Sequence, residues 1–280
     1  MRMMIWRFLN TGFGRGDYNM ALDAALALGG FQDLPTLRVF RWRPFCISLG
    51  YHQNAGEIDL QKCEADGVDV VRRPTAGRAI LHAEELTYSV AVPAAHVWYQ
   101  MLPLDFYRRI SEAIASGLQL LGAGIEFAPG EKLYHDGRPL RLACFASSAR
   151  NEITANGKKV VGSAQRRFRA GVLQHGSILL QREHERLVKY LVGTPAEVAA
   201  ERVRLQQHTT TLADILPEPT SFEEVMRALR QGFEKTLRLE FVEVEALSEE
   251  IEWAGRGSER YRIHKPNQQE KIVCTSLESC

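Results

Sequence analysis

The sequence has few of the features that mark a metal site, a secreted protein or a membrane protein. Its 280 residues include only five cysteines, and no two of them form a Cys-x-x-Cys pair. Neither a zinc site nor a disulfide framework is therefore indicated. The first residues lack the apolar segment of a signal peptide, so we expect a reducing, cytoplasmic setting.

Long hydrophobic runs and an excess of one charge are also missing. The longest uncharged run includes the segment 87–104, which contains Pro93, His96 and Pro103 and is a poor membrane span. The 35 basic and 34 acidic residues leave a net charge of +1. That balance argues against binding nucleic acid through bulk charge. We expect a monomer with no membrane and no nucleic-acid partner.

The remaining composition is that of a globular protein with a sizeable core, 45% apolar and 25% charged. Strand and helix patterns mix in the first two thirds, and helical patterns dominate afterwards. We therefore predict an α+β fold, a mixed β-sheet core flanked by helices. The catalytic domain is expected over 1–214, and a small, mainly helical appendage over 215–280.

Hydrophobic periodicity predicts the main elements. The predicted strands are 5–9, 37–42, 46–49, 68–72, 172–180 and 237–244. The predicted helices are 18–28, one capped by Asp105, 184–191, 195–205, one after Ser221, and one from 248. Asn156-Gly157 predicts a two-residue hairpin turn. Ser221 and Glu224 form a capping box. The polar tail after Gly255 is expected to be loosely held.

One candidate ligand site follows the strand at 68–72. Arg72 and Arg73 end this strand, and a turn of small residues leads to His82. Small residues let a backbone approach a ligand closely, and its N–H groups can then hold a carbonyl or a phosphate. The turn lacks the P-loop and dinucleotide-binding glycine patterns. A plain surface turn with solvated arginines is the alternative. The candidate binding residues here are Arg72, Arg73, Thr75, Ala76, Gly77, Arg78 and His82.

A second candidate follows the predicted hairpin. Lys158 and Lys159 precede a turn of small residues. The two lysines lie either on a charged hairpin face or, for one of them, in a pocket beside a ligand-binding loop. The candidate binding residues here are Gly162, Ser163 and Ala164. His175 and Gly176 interrupt an apolar strand, where a histidine more often has a structural or ligand-orienting role than that of a base.

Cys144 is a candidate nucleophile, although a lone cysteine is most often a small buried hydrophobic residue. Lys159 follows it by fifteen residues. A nearby cation favours the thiolate, which is the nucleophilic form of cysteine. The serine-hydrolase motif GxSxG and the zinc-protease motif HExxH are both absent.

Taken in order, these segments resemble the lipoate and octanoate branch of the biotin–lipoate protein ligase superfamily. The resemblance spans roughly residues 5–255. It implies the class II synthetase-like catalytic fold of that superfamily. The segments that carry it are Trp6-Arg7-Phe8, Asn19 to Asp23, Ser48 to Gln53, Arg72 to His82, Glu85 to Ser89, and Lys159 to Gln165.

Cys144-Phe145 is similar to the cysteine motif of LipM-type octanoyltransferases, which the ATP-dependent lipoate ligases do not need. The resemblance implies transfer of an octanoyl group from octanoyl-acyl carrier protein to a lysine of a lipoyl-bearing protein. The expected acceptors are the glycine-cleavage H protein and E2 subunits. Cys144 would carry the acyl group as a thioester, and Lys159 would hold the thiolate and polarise the acyl carbonyl. No cofactor, ATP or metal is expected.

The family usually has Gly-Gly after the motif threonine, where this chain has Ala76-Gly77. If the first position requires a positive φ, alanine costs about 1–2 kcal/mol there. Three other functions stay open at this point. They are amide-to-amide transfer between lipoyl domains through the cysteine, ATP-dependent lipoate ligation, and non-catalytic binding of an acyl group or a lipoyl domain. A nucleic-acid module is the weakest option because no such motif is found.

Overall fold

The computed structural model describes residues 3–128 and 152–264 of the chain. Within these ranges, eleven strands form two sheets. The eight-stranded sheet has the order β11-β1-β2-β6-β10-β9-β8-β7, and the small sheet has the order β4-β3-β5. The strands are β1 Met4–Gly14, β2 Thr36–Trp42, β3 Cys46–Leu49, β4 Asp69–Arg72, β5 Ile80–His82, β6 Glu85–Pro93, β7 Glu126–Ala128, β8 Glu152–Ala155, β9 Lys158–Arg167, β10 Gly171–Leu179 and β11 Leu239–Glu243.

Helices cover both faces of the large sheet. The α-helices are α1 Gly16–Leu28, α2 Leu60–Ala65, α3 Pro103–Leu120, α4 Pro195–His208, α5 Leu212–Ile215, α6 Phe222–Leu237 and α7 Ser248–Gly257. The apolar faces of α3 and α6 pack together on one side of the sheet. On the other side, α1 packs against the sheet and against α7. A separate apolar cluster joins the small sheet to the 3-10 segment Arg182–Tyr190. In the described ranges, no helix combines the length and the apolar character needed to cross a membrane.

Elements fixed by local chemistry match their predictions. Asn156 and Gly157 have φ values of 51° and 72° and join β8 to β9, which confirms the two-residue hairpin. The capping box at α6 is confirmed because the Ser221 hydroxyl accepts from the Glu224 backbone N–H at 3.2 Å.

Other predictions were wrong in detail. The helix predicted from Asp105 begins at Pro103, because proline favours the first helical position. The segment predicted as a helix over 184–191 is a 3-10 segment, Arg182–Tyr190. The chain after Gly255 is not loose as far as it is described. It completes α7 and a 3-10 turn in which Tyr261 is only 8% exposed.

The segment after residue 214 contributes to the large sheet. Strand β11 pairs in parallel with β1, and α6 packs against α3. These contacts bury Phe233 and Phe241 in the main core. The boundary at 214 stays a prediction.

Candidate active site

A pocket lies between the two sheets, with an empty volume of about 350 Å³ that includes space open to solvent. Seven residues predicted from the sequence line it: Arg73, His82, Gly162, Ser163, Ala164, His175 and Gly176. The arginine–glycine turn and the Gly-Ser segment of β9, far apart in sequence, thus contribute to the same pocket.

The other predicted binding residues are not among the residues that line the pocket. Arg72 points to the preceding loop, where its Nη1 donates to the carbonyls of Gly50, Tyr51 and Gln53 at 2.9, 3.1 and 2.7 Å. The Arg72 side chain therefore holds the 50–53 loop. Ala76 and Gly77 are exposed, and Arg78 is partly exposed.

The buried Arg73 shapes the turn that follows it. Its Nη1 donates to the Ser48 carbonyl at 2.9 Å, and its Nη2 donates to the carbonyls of Ala76 and Arg78 at 3.1 and 2.8 Å. A guanidinium with several donors in a fixed fork can hold several carbonyls at once. The turn 74–78 is therefore tied to β3 by a charged group under it.

Gly77 supplies the positive φ of this turn, at 114°. Among the described non-glycine residues, only Asn156 and Arg238 have a positive φ. Ala76 therefore has no left-handed strain, and the cost of alanine considered for this position does not arise. Gly50 also allows a close approach, since a Cβ there would lie 1.9 Å from the Gly77 carbonyl oxygen.

His175 joins α1 to the arginine–glycine turn. Its Nδ1 lies 3.0 Å from Asp23 Oδ2, and its Nε2 lies 2.6 Å from Thr75 Oγ1. Asp23 is fully buried, and its Oδ1 accepts from Arg38 and Ser89 at 2.7 Å each.

The protonation states of Asp23 and His175 follow from their burial and from the groups that hydrogen-bond to them. Burial opposes the charge on Asp23, but the hydrogen bond from His175 and the charge of Arg38 hold the pKa of Asp23 below its usual value. Burial lowers the pKa of His175, so the imidazole is neutral at pH 7. Since the carboxylate is a pure acceptor, Nδ1 carries the hydrogen. Nε2 is then the acceptor, and the Thr75 hydroxyl donates to it.

His82 is part of a second hydrogen-bond network, in which both ring nitrogens again have a partner. Its Nε2 lies 2.7 Å from Ser48 Oγ, and its Nδ1 lies 2.7 Å from Glu85 Oε1. The ring stacks on Trp42 with the centroids 4.1 Å apart and an interplanar angle of 12°. The same Glu85 oxygen accepts from Ser177 at 2.7 Å. This network fixes the wall of the pocket formed by His82 and Trp42.

Lys159 lies near the start of β9 and is only 7% exposed. Its carbonyl accepts from the Thr210 backbone N–H at 3.0 Å, and its Cα pairs with Thr154 of β8. The backbone of Lys159 is therefore held from both sides. Cys144 and Phe145 fall outside the described residues, so their predicted roles stay predictions.

A model of the family described as "Lipoyl protein ligase A/B catalytic domain" matches residues 15–234. The match covers both ligand motifs and most of the large sheet.

The chain belongs to the lipoyl protein ligase A/B catalytic domain family.

Relatives within and around this family cover nearly the whole chain. It is 39% identical to "Octanoyltransferase LipM" of Kyrpidia tusciae over 92% of this chain and 97% of that protein. The crystal structure of lipoate-protein ligase A bound with ATP has a TM-score of 0.73 and 26% identity, covering 92% of this chain and 95% of that one. A bipartite lipoate protein ligase of Thermoplasma acidophilum, studied with its E2 lipoyl domain, has a TM-score of 0.74 at 24% identity, covering 92% and 93%. These findings confirm the predicted family, the α+β fold and the acyltransferase class.

Several residues of this family site are not singled out by sequence patterns. Asp23 and Arg38 fall within segments that read as ordinary core elements, and Glu85 borders an uncharged segment. A signal is nevertheless present, because Glu85, Thr87 and Ser89 alternate along one strand. Polar residues with a period of two indicate one polar strand face. The further pocket residues not predicted are Met20, Trp42, Ser48, Ile80, Thr87 and Ser177.

The two cysteines in the described ranges, Cys46 and Cys63, are not candidate nucleophiles. Burial, with a contribution from Asp69, raises the pKa of the Cys46 thiol well above its usual value. Burial and the nearby Asp59 raise the pKa of Cys63 to about 12. Both thiols therefore stay protonated and unreactive near neutral pH. Within 3–128 and 152–264, no group of three His, Cys, Asp or Glu side chains could hold a metal ion.

Two of the buried histidines, His175 and His184, predict an acid-sensitive stability. Burial lowers the pKa of His175 and of His184. The unfolded chain, with histidine pKa values near 6.5, therefore binds more protons than the folded chain below that pH. Their stabilising contribution should be complete above about pH 6.5 and should be lost as the pH falls through the lowered values. We expect the melting temperature to drop between about pH 7.5 and pH 5.5.

Thermal melts across this range, on wild type and on His175→Gln, check this expectation. Glutamine does not titrate, so the variant should lose less stability than wild type over the same interval. A melting temperature that rises on acidification, or an identical slope in the variant, would contradict the prediction.

Proposed function

We propose that the protein transfers an octanoyl group from octanoyl-acyl carrier protein to a lysine of a lipoyl-domain protein, through a thioester on Cys144. The observation that carries the proposal is that the arginine–glycine turn and the Gly-Ser segment of β9 contribute to the same pocket. The 39% identity to an octanoyltransferase over nearly its full length supports the acyl group. The lipoyl-domain acceptors are expected to be the glycine-cleavage H protein or an E2 subunit.

The proposed chemistry has two steps. In the first, the Cys144 thiolate attacks the donor thioester carbonyl, and the carrier protein's sulfur leaves as a thiolate. One thioester replaces another, so the step has little thermodynamic penalty. In the second, the neutral amine of the acceptor's lysine attacks the Cys144 thioester, the cysteine sulfur leaves with the electron pair of the C–S bond, and the nitrogen loses a proton as the amide forms. Neither step requires ATP or a metal.

Lys159 is proposed to hold the Cys144 thiolate and to polarise the acyl carbonyl. Its low exposure strengthens such a charge effect, because the local dielectric is lower than that of water. Backbone N–H groups near Gly77 and Gly162 are proposed to bind the carbonyl oxygen. The other proposed substrate-binding residues are Arg72, Arg73, Thr75, Ala76, Arg78, His82, Ser163, Ala164, His175 and Gly176.

The pocket walls include apolar side chains as well as hydrogen-bonding groups. Met20, Trp42 and Ile80 contribute apolar surface beside the hydrogen-bonded His82. An octanoyl chain buries about seven methylene-sized groups, at about 0.8 kcal/mol each. The resulting gross gain of about 5–6 kcal/mol favours octanoyl over short acyl groups.

A donor test by intact-protein mass spectrometry addresses the proposal directly. The full chain is mixed with octanoyl-acyl carrier protein in the absence of ATP. We expect an octanoyl adduct on the protein that hydroxylamine removes, as for a thioester. Adding a lipoyl domain should then move the octanoyl group to the domain's lysine as a hydroxylamine-resistant amide.

The absence of any adduct would remove the proposal. Release of pyrophosphate with free lipoate and ATP would instead identify an ATP-dependent ligase. Acyl transfer only from an octanoylated lipoyl domain would identify an amidotransferase. Octanoate binding with no transfer from any donor would identify a non-catalytic binding protein.

A further inference from the structure

The pocket has two walls that belong to different parts of the fold. Met20 of α1 and residues of the large sheet form one wall, and Ile80 and His82 of the small sheet lie in the other. These three side chains are at most 7% exposed. A movement of the small sheet away from α1 would therefore widen the pocket, and the contacts between these two parts should limit that movement.

Helix α1 meets the small sheet at its first turn. The Gly16 backbone N–H donates to Asp69 Oδ2 of β4 at 3.4 Å, which is long for a hydrogen bond. A Cβ on Gly16 would lie 2.4 Å from Cys46 Sγ of β3 and 3.0 Å from a methyl carbon of Val71. The two parts are therefore in close van der Waals contact here, with a weak polar connection.

A second connection between α1 and the small sheet is the segment 258–264, here called the strap, which follows α7. Arg262 forms an antiparallel β-bridge with Val71. The Ile263 backbone N–H donates to the Val70 carbonyl at 2.9 Å. Since β4 is an edge strand of the small sheet, the strap extends that sheet by a short pairing.

The strap is held to α1 by an ion pair and an aromatic ring. The Arg262 guanidinium donates to Asp17 Oδ2, and the Asp17 side chain is only 6% exposed. Burial opposes the charge on Asp17, but the Tyr18 backbone N–H and Arg262 hold its pKa below the usual value. The carboxylate is therefore charged at pH 7 and pairs with the guanidinium. Tyr261, which is also buried, packs with the apolar residues of α1.

The outer side of the strap faces open space. Arg262, Ile263 and His264 line a cleft with an empty volume of about 1410 Å³, which includes space open to solvent. The Arg262 side chain is 35% exposed, so water can take over its hydrogen bonds when the strap lifts. Segments with few buried contacts and accessible hydrogen bonds are those that open locally. The strap can therefore release while the large sheet stays folded.

We propose that the strap controls how often the small sheet moves away from α1, and that Arg262 is the positioning residue of this device. Because opening widens the pocket, the strap sets the rate at which an acyl chain enters and leaves. The acyl ligand rests on the proposed function, whereas the opening of the small sheet does not.

Amide hydrogen exchange on the full chain with Arg262→Gln tests the opening. Glutamine removes the charge that pairs with Asp17. We expect the protected β3 and β4 amides to exchange about tenfold faster, the order that loss of a charged hydrogen bond costs. The β6 and β10 amides of the large sheet should stay within about twofold of wild type, because the opening is local. Arg262→Lys keeps a cation and should restore most of the protection.

Arg256→Gln is the matched control. Arg256 pairs with Glu252 at 3.2 Å, and both residues are exposed on α7, so the loss of this pair should leave both sheets unchanged. Asp17→Asn removes the strap's ion pair from the α1 side and decides the question if Arg262→Gln does not fold. Equal acceleration in both sheets, or none in β3 and β4, would overturn the proposal. Unfolding of both variants would do so too, because release of the strap should leave the large sheet intact.

Binding of octanoate measures access to the pocket. Stopped-flow fluorescence can follow it, because Trp42 lines the pocket. Since the ligand passes through the open arrangement, association and dissociation should both become about tenfold faster in Arg262→Gln, with Kd within about twofold of wild type because the closed arrangement stays the main population.

The two measurements separate the strap from the proposed function. Faster β4 exchange with unchanged octanoate rates would overturn the control of access. Wild type that does not bind octanoate would count against the acyl pocket of the proposed function, and the exchange rates would still decide whether the strap controls the opening.

Discussion

Cys144→Ala should abolish the octanoyl adduct and lower transfer to a lipoyl domain by about 10³-fold or more, the order that loss of a nucleophile costs. The reason is chemical. Without the sulfur, the octanoyl group must pass directly from the donor to the lysine, and no thioester can form on the protein. Intact-protein mass spectrometry and a transfer assay on the same samples measure both effects. The variant should fold as wild type does, because the change removes a single sulfur atom.

Cys63→Ala is the matched control for this prediction. Cys63 is a buried thiol on α2 with a pKa of about 12, so it contributes no thiolate near pH 7. Its loss leaves a small cavity, which lowers stability modestly, but the adduct should form as on wild type. An octanoyl adduct that persists on Cys144→Ala and disappears on Cys63→Ala would reverse the assignment.

Local chemistry explains which parts of the fold could be predicted. The Asn156-Gly157 turn and the Ser221–Glu224 capping box depend on a few neighbouring residues, and both are found where the sequence places them. Strand β6 is not predicted, although all nine of its residues are buried. Glu85, Thr87 and Ser89 alternate with apolar residues, but the alternation ends at Val90, and the short apolar run that follows does not by itself distinguish a strand from a helix.

In the candidate site, too, local patterns can be predicted from the sequence, but contacts between distant elements cannot. Its motif residues can be identified because each motif is contiguous. Asp23 stands out only as part of a matching segment, since its partners Arg38, Ser89 and His175 come from three other elements. The residue type of Arg72 predicts a ligand-binding role. That role stays a prediction. In the structure the Arg72 guanidinium donates to carbonyls of the 50–53 loop, contacts that depend on tertiary structure.

Gly176→Ala should lower the free energy of unfolding by about 3 kcal/mol and transfer by at least about 100-fold. Gly176 lies on β10 between Tyr88 of β6 and Ser163 of β9. A Cβ at this position would lie 2.2 Å from the Gly162 carbonyl oxygen and 2.9 Å from both Ser163 Oγ and Tyr88 Cε1. The nearest atom belongs to the backbone, so relief requires β9 to move away from β10. That movement displaces the pocket wall formed by Gly162 and Ser163. Chemical denaturation and a transfer assay measure the two effects.

Gly255→Ala separates this steric effect from the general effect of replacing glycine. Gly255 lies within α7, where an added Cβ would meet open space, and its φ is not positive. Alanine is favoured over glycine in a helix by about 1 kcal/mol, so this variant should be slightly more stable than wild type and equally active. The same added methyl group should therefore lower the free energy of unfolding at Gly176 and raise it at Gly255. If Gly176→Ala matched Gly255→Ala in stability and activity, the close packing of β9 against β10 could not be what shapes the pocket.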